Sequence, residues 1–160
     1  MRMTIAAIGR LKAGPERQLV ERYVERVAKA GKAVALGPVT VREFAESRAE
    51  RTDDRRRAET DQLIEATAGA TRLIALDERG KTVTSADFAA LLGRLRDDGA
   101  GEIAFVIGGA DGHDERLRDR ADHVFSFGPM TFPHQIVRLL LVEQLYRAVT
   151  ILSGHPYHRE

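Results

Sequence analysis

The stretch IAFVI at residues 103–107 constrains the fold most strongly, because all of its side chains are apolar. A strand in which polar and apolar residues do not alternate is expected to be buried on both faces. Strands of this kind are typical of parallel sheets that carry helices on each side. The stretch therefore predicts an interior strand of an α/β fold.

Strands and helices are predicted to alternate along the whole chain. The other predicted strands cover residues 3–8, 33–44, 71–76 and 123–127. The predicted helices cover residues 15–31, 47–67, 86–96, 114–120 and the segment from 134 onward. Gly31 is expected to end the first helix and Ser85 to cap the third, while Gly37-Pro38 marks the second strand as an edge or a bulge. The pattern predicts one α/β domain over residues 1–160, with a mostly parallel sheet.

The composition excludes several classes of protein and of site. The chain has no cysteine, which rules out disulfides, thiolate metal sites and a cysteine nucleophile. Its first apolar run is too short for a signal peptide. Charged residues at 138, 143 and 147 interrupt the longest apolar run, so no membrane span is predicted. We expect a cytoplasmic protein with no membrane partner.

Charge is unevenly distributed although the net charge is only +1. Residues 1–60 carry 14 Lys and Arg against 9 Asp and Glu, whereas residues 61–160 carry 11 against 15. The basic half includes Arg48, Arg51 and the run Arg55-Arg56-Arg57. Two interpretations stay open, a solvated helix face and a surface that contacts nucleic-acid phosphates.

Three loops are predicted at the carboxyl ends of strands, where α/β sheets bind ligands. They cover residues 77–80, 108–112 and 128–133, and all are rich in glycine or proline. The middle loop, GGADG, resembles half of a dinucleotide fingerprint, but it lacks the acidic ribose partner and also fits a tight turn. The last loop, GPMTFP, is stiff and poor in free amides, which suits a flat ligand such as an adenine with a thioether chain.

The last helix pattern is apolar on most of its surface between residues 136 and 152. A chain of this size cannot easily cover such a helix alone, so a symmetric dimer is expected. Glu143 and Arg147 stand four residues apart, as in a structural ion pair. His155 and His158 follow in the tail, but no further ligands complete a metal site around them, and no metal is expected.

Four motifs match a known family in order and spacing along the chain. They are LDERGK at 76–81, FVIGGADG at 105–112, the run from Met130 to Ala148, and PYHR at 156–159. The sequence resembles the bacterial large-subunit ribosomal RNA pseudouridine N3-methyltransferases of the SPOUT class. This resemblance implies an α/β fold with a C-terminal trefoil knot, with the knot and cofactor region at residues 71–160. It also implies that S-adenosylmethionine is the cofactor, and that the substrate is a pseudouridine in 23S rRNA of the assembled ribosome.

The resemblance assigns cofactor residues, most of which contribute backbone contacts. They are Leu76, Gly108, Gly109, Gly128, Pro129, Met130, Thr131, Phe132 and Pro133. Relatives usually carry Ser-Leu-Ser where this chain has Ser126-Phe127-Gly128, so a side-chain contact at residue 128 is not expected here.

Catalytic and substrate roles fall mainly on the last helix and the tail. The resemblance implies a homodimer in which the tail of one subunit completes the site of the other. The N3 atom must lose a proton, and His158 and Tyr157 are the candidate acceptors, with Arg147 and Glu143 positioning them. The residues expected to bind substrate are His134, Arg138, His155 and Arg159. His134 has a second interpretation, as a cap of the last helix.

Three alternative functions remain at this point. A SPOUT enzyme acting on transfer RNA is the nearest, although such enzymes often carry an added RNA-binding domain. A noncatalytic RNA-associated module and a nicotinamide-dependent reductase are the others.

Overall fold

The computed structural model describes residues 1–157 as a five-stranded parallel sheet between two layers of helices. The strands are β1 (Arg2–Ile8), β2 (Val39–Phe44), β3 (Arg72–Lys81), β4 (Glu102–Ile107) and β5 (His123–Phe125). The helices are α1 (Pro15–Ala30), α2 (Thr52–Ala66), α3 (Ser85–Asp97), α4 (Glu115–Arg120) and α5 (His134–Ser153), with a 3₁₀ turn at Gly31–Val34. The strand order is β2-β1-β4-β3-β5, and every pair is parallel. The predicted α/β class is confirmed.

Strand β4 lies at the centre of the sheet, between β1 and β3, as its apolar sequence predicts. Its side chains alternate between two separate cores. Phe105 faces the larger core with Leu141 of α5, whereas Val106 faces the smaller core with Leu63 of α2. Helices α1, α3 and α5 therefore cover one face of the sheet, and α2 and α4 cover the other.

Strand β2 is an edge strand, as predicted, but it begins at Val39 and not at residue 33. The segment before it forms the 3₁₀ turn. Gly31 allows this turn because a Cβ there would lie 2.0 Å from the carbonyl oxygen of Leu36. Gly31 has an ordinary right-handed conformation, with φ −65°, so it ends α1 by making room for backbone and not as a left-handed cap.

Strand β3 continues through the segment that the sequence predicts to be a turn. Residues 77–80 are extended, and both Leu76 and Lys81 lie opposite Phe125 of β5. Gly80 permits this second approach, because a Cβ there would lie 2.5 Å from the backbone carbon of Phe125. The prediction of a turn was wrong because Gly80 instead allows β3 to lie close to the backbone of β5.

Two helix boundaries differ from the predictions because a side chain accepts a hydrogen bond from a backbone N–H there. Helix α2 begins at Thr52 and not at Ser47, because the N–H of Ser47 donates to the carboxylate of Glu59 at 2.9 Å. Thr84, and not Ser85, caps α3 by accepting a hydrogen bond from the N–H of Asp87 at 3.1 Å. No helix within residues 1–157 is both long enough and apolar enough to span a membrane.

Candidate active site

A cavity of about 600 Å³ opens at the carboxyl edge of the sheet, beyond β3, β4 and β5. Its walls come from the three segments that the sequence predicts to converge, of which residues 77–79 belong to β3 and the other two are loops, together with the first turn of α5. Of the predicted cofactor residues, those that line the cavity are Leu76, Gly108, Gly109, Gly128, Met130, Thr131, Phe132 and Pro133. Pro129 is exposed and lies next to them in the chain. The loops therefore meet where α/β sheets bind ligands.

The loop at residues 126–133 owes its shape to a serine and a glycine. The hydroxyl of Ser126 donates to the carbonyl oxygen of Gly128 at 2.9 Å, and the N–H of Gly128 lies 3.1 Å from the same hydroxyl oxygen. Gly128 has φ +130°, a conformation that side chains disfavour. The departure from the Ser-Leu-Ser pattern thus gives the loop a backbone bend that a serine would strain.

The loop at residues 108–112 contains the tight turn that the sequence left open. The N–H of Gly112 donates to the carbonyl oxygen of Gly109 at 3.1 Å, and Gly112 has φ +75°. Gly109 has no such positive φ, but a Cβ there would lie 2.8 Å from Oε2 of Glu59 and 3.0 Å from Ile8. Glycine is needed at 112 for its conformation and at 109 for its size.

Ion pairs surround the cavity, and sequence reasoning missed them. Arg118 of α4 lies 3.5 Å from the carboxylate of Asp77, which lines the cavity and has only 5% of its side chain exposed. Asp111, which also lines the cavity, accepts a hydrogen bond from Arg55 of α2 at 2.7 Å. This hydrogen bond holds the pKa of Asp111 below its ordinary value. The two residues of each ion pair are distant in sequence, so no local sequence pattern indicates the pair.

The basic run at residues 55–57 is divided by these contacts. Arg55 is committed to Asp111, and Arg56 pairs with Asp53 of its own helix at 2.5 Å. Arg48, Arg51 and Arg57 are exposed. Contact with nucleic-acid phosphates stays a prediction for these exposed arginines.

His113 is a buried member of the cavity wall that no sequence pattern indicates. Its Nε2 lies 3.0 Å from the carbonyl oxygen of Leu76, and because a carbonyl can only accept, Nε2 carries the hydrogen. Burial lowers the pKa of His113, although the charge of Asp77 opposes the shift. A neutral imidazole therefore fixes the Leu76 carbonyl at the end of the buried part of β3.

His134 begins α5 and lines the cavity. Its Nε2 lies 3.7 Å from a carboxylate oxygen of Glu46. Gly9 makes room for the ring, since a Cβ there would lie 2.4 Å from Nε2. Pro133 occupies the N-cap position and no side chain caps the helix, so the interpretation of His134 as a cap is wrong.

Arg138 lies one turn further along α5 and is completely buried. Its guanidinium donates to the carboxylate of Glu43 and to the carbonyl oxygen of Gly9, the latter at 2.7 Å. A substrate cannot reach a side chain in this position. The prediction that Arg138 binds substrate is therefore corrected: the residue ties α5 to β2 and to the loop after β1.

Three of the predicted catalytic side chains, Glu143, Arg147 and Tyr157, meet near the other end of α5. Arg147 donates to the carboxylate of Glu143 at 2.6 Å, and the hydroxyl of Tyr157 donates to the same oxygen at 3.3 Å. Tyr23 of α1 lies 3.3 Å from Tyr157, hydroxyl to hydroxyl. We call Glu143, Arg147, Tyr157 and Tyr23 the tail cluster. The ion pair of Glu143 and Arg147 is confirmed.

Tyr157 is a poor proton acceptor in this cluster. Burial raises the pKa of its hydroxyl, and the contacts with Tyr23 and Glu143 raise it further. The hydroxyl therefore stays protonated near neutral pH and acts as a hydrogen-bond donor. His155 is exposed, and its Nδ1 accepts from the N–H of Tyr157 at 3.2 Å. The predicted roles of His158 and Arg159 lie outside the described residues.

The cavity and the tail cluster are separate in a single chain. Within residues 1–157, Glu143, Arg147, His155 and Tyr157 do not line the cavity. The N-terminal end of α5 therefore belongs to the cavity, and its C-terminal half belongs to the tail cluster.

The cavity fits the chemistry of S-adenosylmethionine. Its volume of about 600 Å³ is in the range of small-molecule sites. The apolar side chains in its wall, suited to a base and a thioether chain, are Leu76, Ile107, Phe125, Phe127, Phe132 and Val137. Charges of both signs, suited to an amino acid's ammonium and carboxylate groups, come from Asp77, Asp111, Arg79 and Arg118. Gly109 also lines the cavity.

Comparisons with known proteins identify the family of the chain. A family model described as "Predicted SPOUT methyltransferase" matches residues 1–158. A protein of Rhizobium meliloti named "Ribosomal RNA large subunit methyltransferase H" is 57% identical over 159 residues, covering 99% of each chain. A protein of the same name from Brucella abortus is 51% identical over 168 residues, again with 99% of each chain covered.

Solved structures share the fold at low sequence identity. A probable methylase family protein from Haemophilus influenzae superimposes with a TM-score of 0.54 at 13% identity, over 99% of this chain and 70% of its own. A probable methyltransferase from Bordetella pertussis gives a TM-score of 0.52 at 15% identity, over 92% of this chain and 95% of its own. From the family model and the close relatives, this chain belongs to the SPOUT methyltransferase family.

Proposed function

We propose that this protein transfers a methyl group from S-adenosylmethionine to N3 of a pseudouridine in 23S rRNA of the assembled ribosome. The observation that carries the proposal is the meeting of the two glycine- and proline-rich loops at residues 108–112 and 128–133 with the end of β3 around one cavity of about 600 Å³. The substrate class is supported by the printed name of relatives that are 51–57% identical along the whole chain. The assignment of a pseudouridine and of its N3 atom as the target rests on the family resemblance of the sequence motifs described above.

The loops hold the cofactor mainly through their backbone. Both loops line the cavity, through residues 108–112 and through Gly128 and residues 130–133, and Leu76 lines it beside the carbonyl that His113 fixes. When bound, S-adenosylmethionine supplies a methyl group on a sulfonium, which is transferred by in-line displacement. The main task of the chain is therefore to align this group with the uracil ring.

The tail supplies the groups that act on the substrate. Tyr157 keeps its proton, so we assign it a hydrogen bond to the substrate and leave His158 as the proton acceptor. Glu143 holds Tyr157 in place by accepting its hydroxyl hydrogen bond, and Arg147 fixes the same carboxylate by donating to it. His155 and Arg159 are assigned to substrate binding, and His134 to the mouth of the cavity, which it lines.

Two features of α5 support a homodimer. Ile136, Leu140 and Ile151 are only partly buried on this helix, which leaves apolar surface for a second copy. The tail cluster is also separate from the cavity of its own chain. Both features support a dimer in which the tail of one copy completes the cavity of the other.

The knot and the cellular location are part of the same proposal. The crossing of residues 77–81 over β5, where the N–H of Ser126 donates to the carbonyl oxygen of Lys81 at 3.0 Å, supports a knotted C-terminal region. A ribosomal substrate requires the enzyme to work in the cytoplasm.

The decisive experiment is mass spectrometry of rRNA nucleosides from cells with and without this protein. We expect one methylated pseudouridine to disappear from 23S rRNA in the deletion strain and to return with the wild-type gene. An unchanged 23S rRNA with a methyl group missing from transfer RNA would assign the enzyme to the alternative substrate. Calorimetry with S-adenosylmethionine and with NADH separates the enzyme from a noncatalytic module and from a reductase.

A further inference from the structure

The loop at residues 108–112 is held from behind by one face of α2, and this face has no place in the mechanism described so far. Three α2 side chains contact the loop or the residues that follow it. Arg55 pairs with Asp111, Glu59 lies against Gly109, and the hydroxyl of Thr60 accepts from the N–H of Asp114 at 3.3 Å. These three side chains are not part of the cavity lining. Any influence on a bound ligand must therefore act through the loop.

Glu59 is the most unusual of the three, because a carboxylate with 4% exposure has one oxygen without a partner among the described residues. Its Oε1 accepts from the N–H of Ser47 at 2.9 Å, which fixes the orientation of the carboxyl group. Its Oε2 then points at Gly109, at 2.8 Å from the position of a Cβ. The carboxyl group therefore packs directly against Gly109.

Arg55 holds the outer end of the same loop. Its Nε donates to Asp111 at 2.7 Å, while its Nη1 donates to the carbonyl oxygens of Ala49 and Glu50 at 3.0 and 2.9 Å. The guanidinium is thus anchored on the segment before α2. Since Glu59 is anchored on the same segment through Ser47, both contacts to the loop have a fixed support.

We propose that Glu59 and Arg55 are positioning residues for cofactor binding. From outside the cavity, Glu59 fixes the position of Gly109 and Arg55 fixes the position of Asp111 within the Gly108–Gly112 loop. This inference rests on the proposed function, because it takes that loop to contact S-adenosylmethionine. A backbone-built site depends on such support, because its contacts cannot adjust by rotating side chains.

The main test is calorimetric binding of S-adenosylmethionine to the purified full-length protein and its variants. Glu59→Ala is expected to weaken binding about tenfold, since small displacements of a positioned site have effects of that order or larger. Glu59→Gln keeps the size and the acceptor for Ser47, and it is expected to bind as the wild type does. Glu65→Ala is the matched control, because Glu65 is an exposed residue of the same helix.

A double-mutant cycle with Gly109→Ala tests the contact itself. The added methyl meets Oε2 of Glu59 at 2.8 Å, so Gly109→Ala alone is expected to weaken binding. The same change in the Glu59→Ala background is expected to cost less, because the obstructing carboxylate is absent. A purely structural role of Glu59 in the core would give additive effects.

Arg55→Gln provides a second arm that does not depend on the folding of the Glu59 variants, because Arg55 lies at the surface with 27% of its side chain exposed. We expect weaker binding, with Arg57→Gln as an exposed control. The inference is overturned if folded Glu59→Ala, or Arg55→Gln, binds S-adenosylmethionine as tightly as the wild type. If the wild type itself does not bind, the proposed function fails instead, so the two failures are distinguishable.

Discussion

Helix α5 joins two regions that are built in opposite ways. At its N-terminal end lies the cavity, where two loops with four glycines bring backbone to the wall beside apolar and charged side chains, and where buried Arg138 and His113 support the surrounding backbone. Toward its C-terminal end lies the tail cluster, which consists of partly exposed side chains. A site made of backbone depends on the packing behind it, whereas a site made of side chains can lose its function without losing the fold.

The largest expected effect contrasts two arginines of the same helix. Arg138→Met removes the charged hydrogen bond to Glu43, which keeps Arg17 as a partner, and leaves the buried carbonyl oxygen of Gly9 without its donor. These losses should lower the free energy of unfolding by about 3 kcal/mol. Arg147→Met removes a partly exposed ion pair and should cost less than about 1 kcal/mol. Urea unfolding of both variants measures the difference. Equal losses would show that the two ends of α5 are not built differently.

The next effect concerns activity and reverses the order of the two regions. Arg147→Met should keep its fold and lose methylation about 100-fold, since it disturbs the groups that we propose position the proton transfer. Mixing it with Gly128→Val, a cavity variant, should restore about a quarter of the wild-type rate, because half of randomly assorted dimers would contain one intact site. Single-turnover methylation of ribosomes by the co-expressed pair measures this. Recovery that never exceeds the separate variants would place the tail and the cavity of the same chain together.

A smaller effect is expected from the shape of the loop at residues 126–133. Gly128→Ala places a side chain at φ +130° and should weaken S-adenosylmethionine about tenfold, which corresponds to about 1.4 kcal/mol. Gly69→Ala is the control, because Gly69 has no positive φ and no atom within 4 Å of an added Cβ. Calorimetry measures both. Wild-type affinity in Gly128→Ala would mean that the loop does not need this bend to bind the cofactor.

The smallest effect is a pH dependence of stability that arises behind the cavity. Burial raises the pKa of Glu59 above its ordinary value, and the charges of Glu46 and Asp111 add to the shift, while the Ser47 N–H and Arg55 oppose it. The folded state therefore binds this proton more tightly than the unfolded state, and the stability it contributes is lost as pH rises from the ordinary pKa through the raised one. Glu59→Gln should thus gain melting temperature relative to the wild type as pH rises above about 4.5. A difference that does not change with pH would show that Glu59 does not titrate abnormally.

The sequence predicted those parts of the molecule that local patterns determine. The apolar run of β4 placed it at the centre of the sheet, and the helical spacing from His134 placed α5 within a residue of its start. The glycine and proline content of residues 108–112 and 128–133 correctly indicated the position of the cavity. In each of these cases the signal lies in residues that are neighbours in the chain.

The parts that were missed depend on contacts between distant residues. Arg138 looks like a polar residue on a helix face, and only the carboxylate of Glu43, far away in the chain, explains its burial. The support of Asp111 by Arg55 and the place of His113 under Leu76 have the same origin. Gly80 was read as a turn residue because nothing local shows that a second strand passes against it.

The 20 residues of α5 form a rod about 30 Å long that carries groups of both regions. The spacing between those groups is therefore set by helical rise and phase, and not by the slack of a loop. One residue inserted between Arg138 and Glu143 would move the tail cluster by about 1.5 Å and turn it by about 100° relative to the cavity. The length and the helical phase of α5 therefore set the distance and the orientation between the cavity and the residues of its C-terminal half.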